Sequence, residues 1–317
     1  MLHFEFLNPR RWCILMSGNL ESYFSHAKEV AKLAGDILHK AYTSFHDFSD
    51  QGCQVLEVET KESNDANLVT IIDKQIQDFI IDYLNRIFPT HSFIGEESLT
   101  KIELNNDPTW IIDPIDGTTN FVHGLPYCCV SIGLVVDKHP TIGVIYNPIL
   151  GQMFSACEGM GAFLNDKRLG TSPKPITPIS QCIIGLEYGN ERTNDVLDPK
   201  LETFSRVIKA PVRAIRCYGS AAMNLCMVAS GVLDIYLEAG IHCWDIAAGV
   251  VIVRYTLILN ARESGGILGN FFSDSEFPID LMGRNIVAVR CGTSRENMIT
   301  RFNDIQKLIS PVPYECD

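Results

Sequence analysis

The sequence is short of several things, and each shortage removes a class of function. Basic residues are outnumbered, 26 Lys and Arg against 38 Asp and Glu, for a formal net charge of −12. A nucleic-acid or anionic-membrane binder needs basic clusters, so neither partner is expected. Anionic substrates remain compatible with this charge, because bound divalent cations reverse it locally. The eleven cysteines contain no CxxC pair. An odd count without framework spacing reads as buried thiols of a reducing compartment, and it speaks against both a disulfide scaffold and a zinc site. No apolar run reaches the roughly 18 residues of a membrane-spanning helix. The run 12–16 is too short for a signal-peptide core, and no small-residue cleavage site follows it. A cytoplasmic protein is the expectation. EF-hand spacing is missing, which disfavours a plain calcium module, and no repeat or low-complexity tract occurs.

What is present is apolar content and order. Of the 317 residues, 46% are hydrophobic, enough for one large domain or two closely packed ones. Residues 1–16 read as a disordered extension, with Met16 available as an alternative start. Over 22–43, Phe24, Ala27, Val30, Ala31, Ala34, Ile37, Leu38 and Ala41 share one helical face. A second helix is expected over 73–88, ended by Pro89. Residues 49–67 fit a loop or a hairpin. Residues 127–169 have the texture of an antiparallel β meander. The proline-rich run 171–180 is the best internal boundary. Beyond it strands near 182–187, 213–217 and 232–238 alternate with helices near 196–209, 220–230 and 244–254, an α/β layering.

The stretch "WIIDPIDGTTNF" (110–121) places Asp113 and Asp116 just after a short apolar strand. Asp-Pro and Asp-Gly are both turn dipeptides, so two successive turns would explain it without any ligand. Three features favour a site. Carboxylates held together near a core repel, and a hard divalent cation relieves them. Pro114 stiffens the bridge between the two acids. Gly117, Thr118 and Thr119 then offer N–H groups and hydroxyls suited to a phosphate. Further acids stand in "IGEES" (Glu96, Glu97) and "GIHCWDIAAG" (Asp245). Asp245 could equally be a helix-opening charge, and His242 reads as a hydrogen-bonded structural residue rather than a ligand.

Together, "LVTIIDKQ" (68–75), "FPTHSFIGEES" (88–98), "PTWIIDPIDGTTNFVHGLPYCCVSIG" (108–133), "GSAAMNLCMVASGVLDIYLEAGIHCWD" (219–245) and "FPIDLMGRNIVA" (277–288) resemble the inositol monophosphatase family of lithium-sensitive, metal-dependent phosphatases. The resemblance covers roughly residues 17–310. It implies a layered α+β or α/β fold, an αβαβα sandwich, in a single domain over 17–317 with halves near 17–172 and 180–310. It implies Mg²⁺-dependent hydrolysis of myo-inositol monophosphates without a covalent intermediate, in a homodimeric, lithium-sensitive enzyme of inositol phosphate metabolism and phosphatidylinositol signalling. Two or three Mg²⁺ per subunit are implied. Glu96, Asp113 and the Ile115 carbonyl would hold the first; Asp113, Asp116 and Asp245 the second; Glu96 a weaker third. Thr118, supported by Asp73 or Glu96, would orient or deprotonate the attacking water. Gly117 and Thr118 would contact the phosphate, and Gly219, Ser220, Ala221 and Glu238 would face the inositol hydroxyls; Glu96, Ile115, Asp116 and Asp245 are implied as substrate-binding too. Read without the resemblance, Glu238 is a solvated strand end and Ser220 a helix cap. The alternatives are a broader sugar-phosphate or nucleotide phosphatase and a catalytically silent interaction protein.

Two departures stand out. Asn67 replaces the usual acid before "LVT", in a slightly long loop where Lys61 is the nearest basic residue. The run "YTLILNAR" (255–262) is additional, and it is expected as a surface-side excursion with poor order.

Overall fold

The computed structural model describes residues 9–46, 58–60, 68–98, 103–170, 174–256, 265–274 and 279–314. Helix α1 (Pro9–Phe45) contains the expected stripe, and the helix itself begins earlier in the chain than the stripe does. Residues 9–16 of the expected disordered extension are therefore helical here, whereas 1–8 lie outside the described residues. Phe24, Ala27, Val30, Ala31, Ala34 and Leu38 are buried, at the i, i+3, i+4 spacing that lines one helical face. Strands β1 (Val58–Thr60) and β2 (Leu68–Thr70) pair antiparallel, as the hairpin option required. Lys61 and Asn67 lie outside the described residues. Helix α2 (Ile71–Ile87) buries Ile76, Ile80 and Leu84 and stops short of Pro89, whose ring would clash with a continuing turn.

A seven-stranded sheet follows, in the order β3-β4-β5-β6-β7-β8-β9. Its members are β3 (Ser92–Gly95), β4 (Thr109–Asp116), β5 (Cys129–Val136), β6 (His139–Asn147), β7 (Gln152–Cys157), β8 (Gly161–Leu164) and β9 (Lys167–Arg168), with the short helix α3 (Thr118–Val122) between β4 and β5. β3 and β4 run parallel. From β4 to β9 every pairing is antiparallel, which is the expected meander. One face, with Trp110, Ile112, Val130, Ile132 and Val144, packs on α1 and α2.

The second half forms a five-stranded mixed sheet, β11-β10-β12-β14-β13. In chain order it runs β10 (Ile183–Leu186), α4 (Asn194–Lys209), β11 (Ala214–Arg216), α5 (Ala221–Ala229), β12 (Ile235–Ala239), α6 (Cys243–Arg254), β13 (Ile267–Gly269), β14 (Asn285–Val289) and α7 (Arg295–Gln306). Helices α5 and α6 lie between the two sheets, in one core with Ile111, Ile145, Tyr236 and Ile286. The outer face of the five-stranded sheet buries Ile184, Ile235 and Val287 against Val207 of α4 and Met298, Phe302 and Ile305 of α7. The layers thus stack helix, sheet, helix, sheet, helix.

Helix α6 docks on the large sheet through a bare spot. A Cβ on Gly143 of β6 would collide with the backbone carbonyl of Ala248. Only glycine there lets the helix sit this close to the strand, and that seating fixes where the N-terminus of α6 points. At the other end of α6, Gly265 N donates to Arg254 O (2.9 Å) and Gly266 N to Val253 O (3.0 Å). These bonds satisfy carbonyls that a helix end leaves unpaired. Of the extra segment 255–262, Tyr255 caps α6 and Thr256 is buried, with its hydroxyl donating to Ile252 O. Residues 257–264 lie outside the described residues.

Candidate active site

The site depends on an irregularity in β4. Along this strand Trp110 and Ile112 face the α1–α2 core, and Ile111 faces α5 and α6. Continued regularly, side chains three residues apart would point to opposite faces. Asp113, however, pairs with Ser131 and Asp116 with Cys129, so β4 carries one extra residue. Pro114 lies inside this bulge, where its missing N–H costs the ladder nothing. Ile115 is absorbed by the α1–α2 core, and Asp116 emerges on the α5 side.

Asp245, near the N-terminus of α6, completes the cluster. Single carboxylate oxygens of Asp113, Asp116 and Asp245 all lie within 4.8 Å of one another. The capping reading of Asp245 also holds, since its Oδ2 accepts from His242 N at 2.6 Å. His242 is not in the cluster; its ring stacks on Trp244, with centroids 4.4 Å apart and planes 8° apart.

The electrostatics show the strain of this arrangement. Burial first, then the charges of Glu96, Asp116, Asp245 and Asp73, push the Asp113 carboxyl well above its usual range. Burial followed by Asp116 and Glu96 does the same to Asp245. Asp116 rises only to about 6, because the Ser220 hydroxyl and the Ala222 N–H (2.8 Å) favour its ionised form against burial. Asp113 Oδ1 is buried with no hydrogen-bond partner. An orphaned carboxylate oxygen beside two further carboxylates is an environment that a hard divalent cation satisfies. The donor set fits a metal ion.

The remaining expected residues surround this cluster. Glu96 follows β3 and is close enough for its charge to act on all three aspartates, though it lies outside the tight group. Asp73, in the first turn of α2, is buried and acts on Asp113. The Ile115 carbonyl accepts the Thr118 hydroxyl at 3.0 Å. That bond uses the only proton of the hydroxyl and leaves its lone pairs to accept from a water. Gly117 has φ 86°, a left-handed turn that a side chain would strain. Ala221 begins α5, and Ser220 caps it by accepting from Met223 N (3.2 Å) while donating to Asp116. The cap reading of Ser220 therefore holds, and the same hydroxyl also serves Asp116. Glu238 is half-buried on β12 rather than a solvated strand end, and it accepts from the Tyr236 hydroxyl.

Several residues escaped the sequence reading. Glu187, just past β10, accepts from Gly219 N (3.0 Å), Tyr218 N and Asn224 Nδ2 (3.0 Å), holding the 218–219 turn. Leu186 pairs with Leu237, so Glu187 and Glu238 end neighbouring parallel strands side by side. The available signal was the same for both, a glutamate closing an apolar strand. Asn120 Nδ2 ties α3 to Tyr127 O (2.8 Å) and Tyr218 O (2.7 Å). Gln77, buried in α2, accepts from Glu97 N (2.9 Å) and fixes the turn carrying Glu96. Cys129 Sγ lies 3.8 Å from Asp116 Oδ2. Cys217 is exposed, whereas Cys128, Cys129, Cys157, Cys182, Cys226, Cys243 and Cys291 are buried thiols.

Comparison with known proteins agrees with this geometry. The inositol monophosphatase family pattern matches residues 19–307. Inositol monophosphatase 3 of Solanum lycopersicum is 38% identical over 276 residues, covering 86% of this chain and 93% of its own. Human inositol monophosphatase 1 is 39% identical over 279 residues, covering 86% and 91%. Among solved structures, the extragenic suppressor protein suhB of Bartonella henselae superposes with a TM-score of 0.72 at 28% identity, over 90% of this chain and 98% of that one.

Proposed function

The chain belongs to the inositol monophosphatase family, and from that premise we propose that it hydrolyses myo-inositol monophosphates to inositol and phosphate in a Mg²⁺-dependent reaction without a covalent intermediate. The observation that carries this reading is the meeting of Asp113, Asp116 and Asp245, with oxygens within 4.8 Å and Asp113 Oδ1 lacking a partner. Glu96, Asp113 and the Ile115 carbonyl would hold one Mg²⁺, Asp113, Asp116 and Asp245 a second, and Glu96 a weaker third. The chemistry such ions supply when bound is activation of a water and neutralisation of charge on the leaving oxygen.

The chain's own residues do the rest. Thr118, its hydroxyl proton engaged by the Ile115 carbonyl, accepts from the attacking water and aims it, with Asp73 and Glu96 as nearby bases. Gly117 and Thr118 present the phosphate with backbone at the turn after the acids. Ser220 and Ala222 hold Asp116 ionised, so that it is ready for a cation near neutral pH. Gly219, Ser220, Ala221 and Glu238 face the inositol. Family membership also supports a lithium-sensitive homodimer of the cytoplasm, acting in inositol phosphate metabolism and phosphatidylinositol signalling. Among the described residues no helix is long and apolar enough to cross a membrane.

The test is phosphate release from inositol 1-phosphate with Mg²⁺, repeated with EDTA and with lithium, beside a panel of sugar and nucleotide phosphates. Release that needs Mg²⁺, falls with lithium and prefers the inositol ester is expected. No release from a folded sample, or a stronger preference for another ester, overturns the substrate assignment. Light scattering tests the dimer, which a monomeric mass contradicts.

A further inference from the structure

Between Glu238 and Asp245 the chain makes one tight passage, residues 239–242, which joins the residue read as facing the alcohol to a residue read as holding metal. Something must keep this passage in place, because neither β12 nor α6 includes all of it. Arg284 contributes: its Nε donates to Ile241 O (2.8 Å) and its Nη2 to Gly240 O (3.1 Å), and its own carbonyl accepts from Gly240 N (2.8 Å).

The other contribution comes from the far end of the chain. After α7 the segment is pinned to α4 by Ser310, whose N donates to Thr203 Oγ1 (2.9 Å) and whose hydroxyl donates to Glu202 Oε2 (2.7 Å). It then delivers Tyr314 to the passage. The Lys200 ammonium and the Arg284 guanidinium each lie 5.2 Å from the centre of the Tyr314 ring. The Tyr314 hydroxyl accepts from Lys200 Nζ at 2.9 Å, and Lys200 Nζ also donates to Tyr188 O at 2.8 Å. Gly240 sits beneath this hydroxyl at φ 98°; a Cβ there would come within 2.6 Å of the Tyr314 oxygen. Both cations thus lie against one ring, and that ring closes directly on the passage. The charge of Glu238 reaches both Lys200 and Tyr314, which places the substrate-facing carboxylate beside the same assembly.

We infer that Tyr314 is a positioning residue for the reaction: by bracketing itself between Lys200 and Arg284 on Gly240, it fixes the 239–242 passage and so the angle at which Glu238 meets the alcohol of the substrate. The inference rests on the reading of Glu238 and Asp245 given above. It assigns substrate discrimination to a residue over 60 positions from either. A tyrosine that only filled space would lower stability without changing which alcohol is preferred.

The experiment compares wild type with Tyr314→Phe and Tyr314→Ala in three measurements: thermal unfolding, amide hydrogen exchange over 239–242, and KM and kcat for inositol 1-phosphate against phenyl phosphate, whose leaving group offers Glu238 no second hydroxyl. Tyr314→Phe keeps the ring and loses one hydrogen bond, so KM for inositol 1-phosphate should rise about three- to tenfold with kcat little changed. Phenyl phosphate kinetics should stay as in wild type, and exchange at Gly240 should accelerate. Tyr314→Ala should exaggerate both effects. A lower unfolding temperature with an unchanged ratio of the two KM values overturns the inference, as does unchanged exchange at 239–242 in Tyr314→Ala. Should wild type fail to cleave inositol 1-phosphate, the substrate reading fails by itself, and the exchange measurement still decides whether Tyr314 holds the passage.

Discussion

Asp113 and Asp116 face the same layer although they are three positions apart, because Asp113 is opposite Ser131 and Asp116 opposite Cys129, two positions apart on the neighbouring strand. The extra residue in β4 reverses the alternation that would have sent one acid into the α1–α2 core. Repulsion created in this way is relieved only by something positive.

Asp113→Asn tests that relief with effects of opposite sign. Without metal, removing one of three crowded charges should raise the unfolding free energy by about 1–2 kcal/mol. The stabilisation that added Mg²⁺ gives to wild type should disappear, and activity should drop about a hundredfold or more. Thermal unfolding with and without Mg²⁺ reads both. Equal Mg²⁺-induced shifts in the two proteins would show that Asp113 is not a ligand.

Ser220→Ala separates the capping role of this hydroxyl from its service to Asp116. Loss of the cap on α5 should cost about 1 kcal/mol. Loss of the bond to Asp116 should raise the Mg²⁺ concentration for half-maximal activity about tenfold, since partners one shell out orient the ligands. Ser220→Thr keeps a hydroxyl and should restore most of the metal response. A stability loss with an unaltered Mg²⁺ requirement would leave Ser220 as a cap alone.

What the sequence made legible followed periodicity. The α1 stripe from Phe24 to Leu38 and the meander from Cys129 onward carry their faces in spacings of 3.6 and 2, and both lie where those spacings put them. The acids stand out as candidates, but "DPID" reads equally well as two turns. Its bulge exists only against β5, whose register no local pattern encodes. Lys200 was invisible for a related reason. A lysine on a helix is ordinarily solvated, and this one is only 4% exposed because a C-terminal segment over a hundred residues later folds across it. Helix α1 also starts at Pro9, inside the stretch to residue 16 expected to be disordered, because the continuous apolar run 12–16 carries no 3.6-residue spacing to signal a helix.

Deleting 257–264 should be tolerated. Gly265 and Gly266 already bond to the last carbonyls of α6, so the deletion joins chain ends that meet at one helix terminus. Asp245 lies nine residues back along the same helix from Arg254, about 14 Å away at 1.5 Å per residue. Activity on inositol 1-phosphate should stay within about twofold, and stability within about 1 kcal/mol, because closing a shorter connection changes little entropy. Loss of Mg²⁺-dependent activity in a folded deletion variant would mean that the segment reaches the site.

Lys200 gives the protein a stability that depends on pH in an unusual direction. Burial, the first cause, lowers its ammonium to about 8 from an ordinary 10.5, against the opposing pull of Glu238. Below pH 8 the lysine is protonated in both states, and the folded protein carries the full cost of a charge away from water. Between about 8 and 10.5 the unfolded chain still binds the proton while the folded one releases it, so unfolding takes up a proton and stability rises with pH. The cost recovered is at most about 3 kcal/mol, the order of free energy that such a lowering of the ammonium represents. Lys200→Met keeps the stem and removes the titration. In urea unfolding at pH 7.5 and 9.5, wild type should gain on this variant as the pH rises. A constant difference between the two would show that the folded and unfolded lysine titrate alike, and that Tyr314 and the Tyr188 carbonyl compensate fully for its burial.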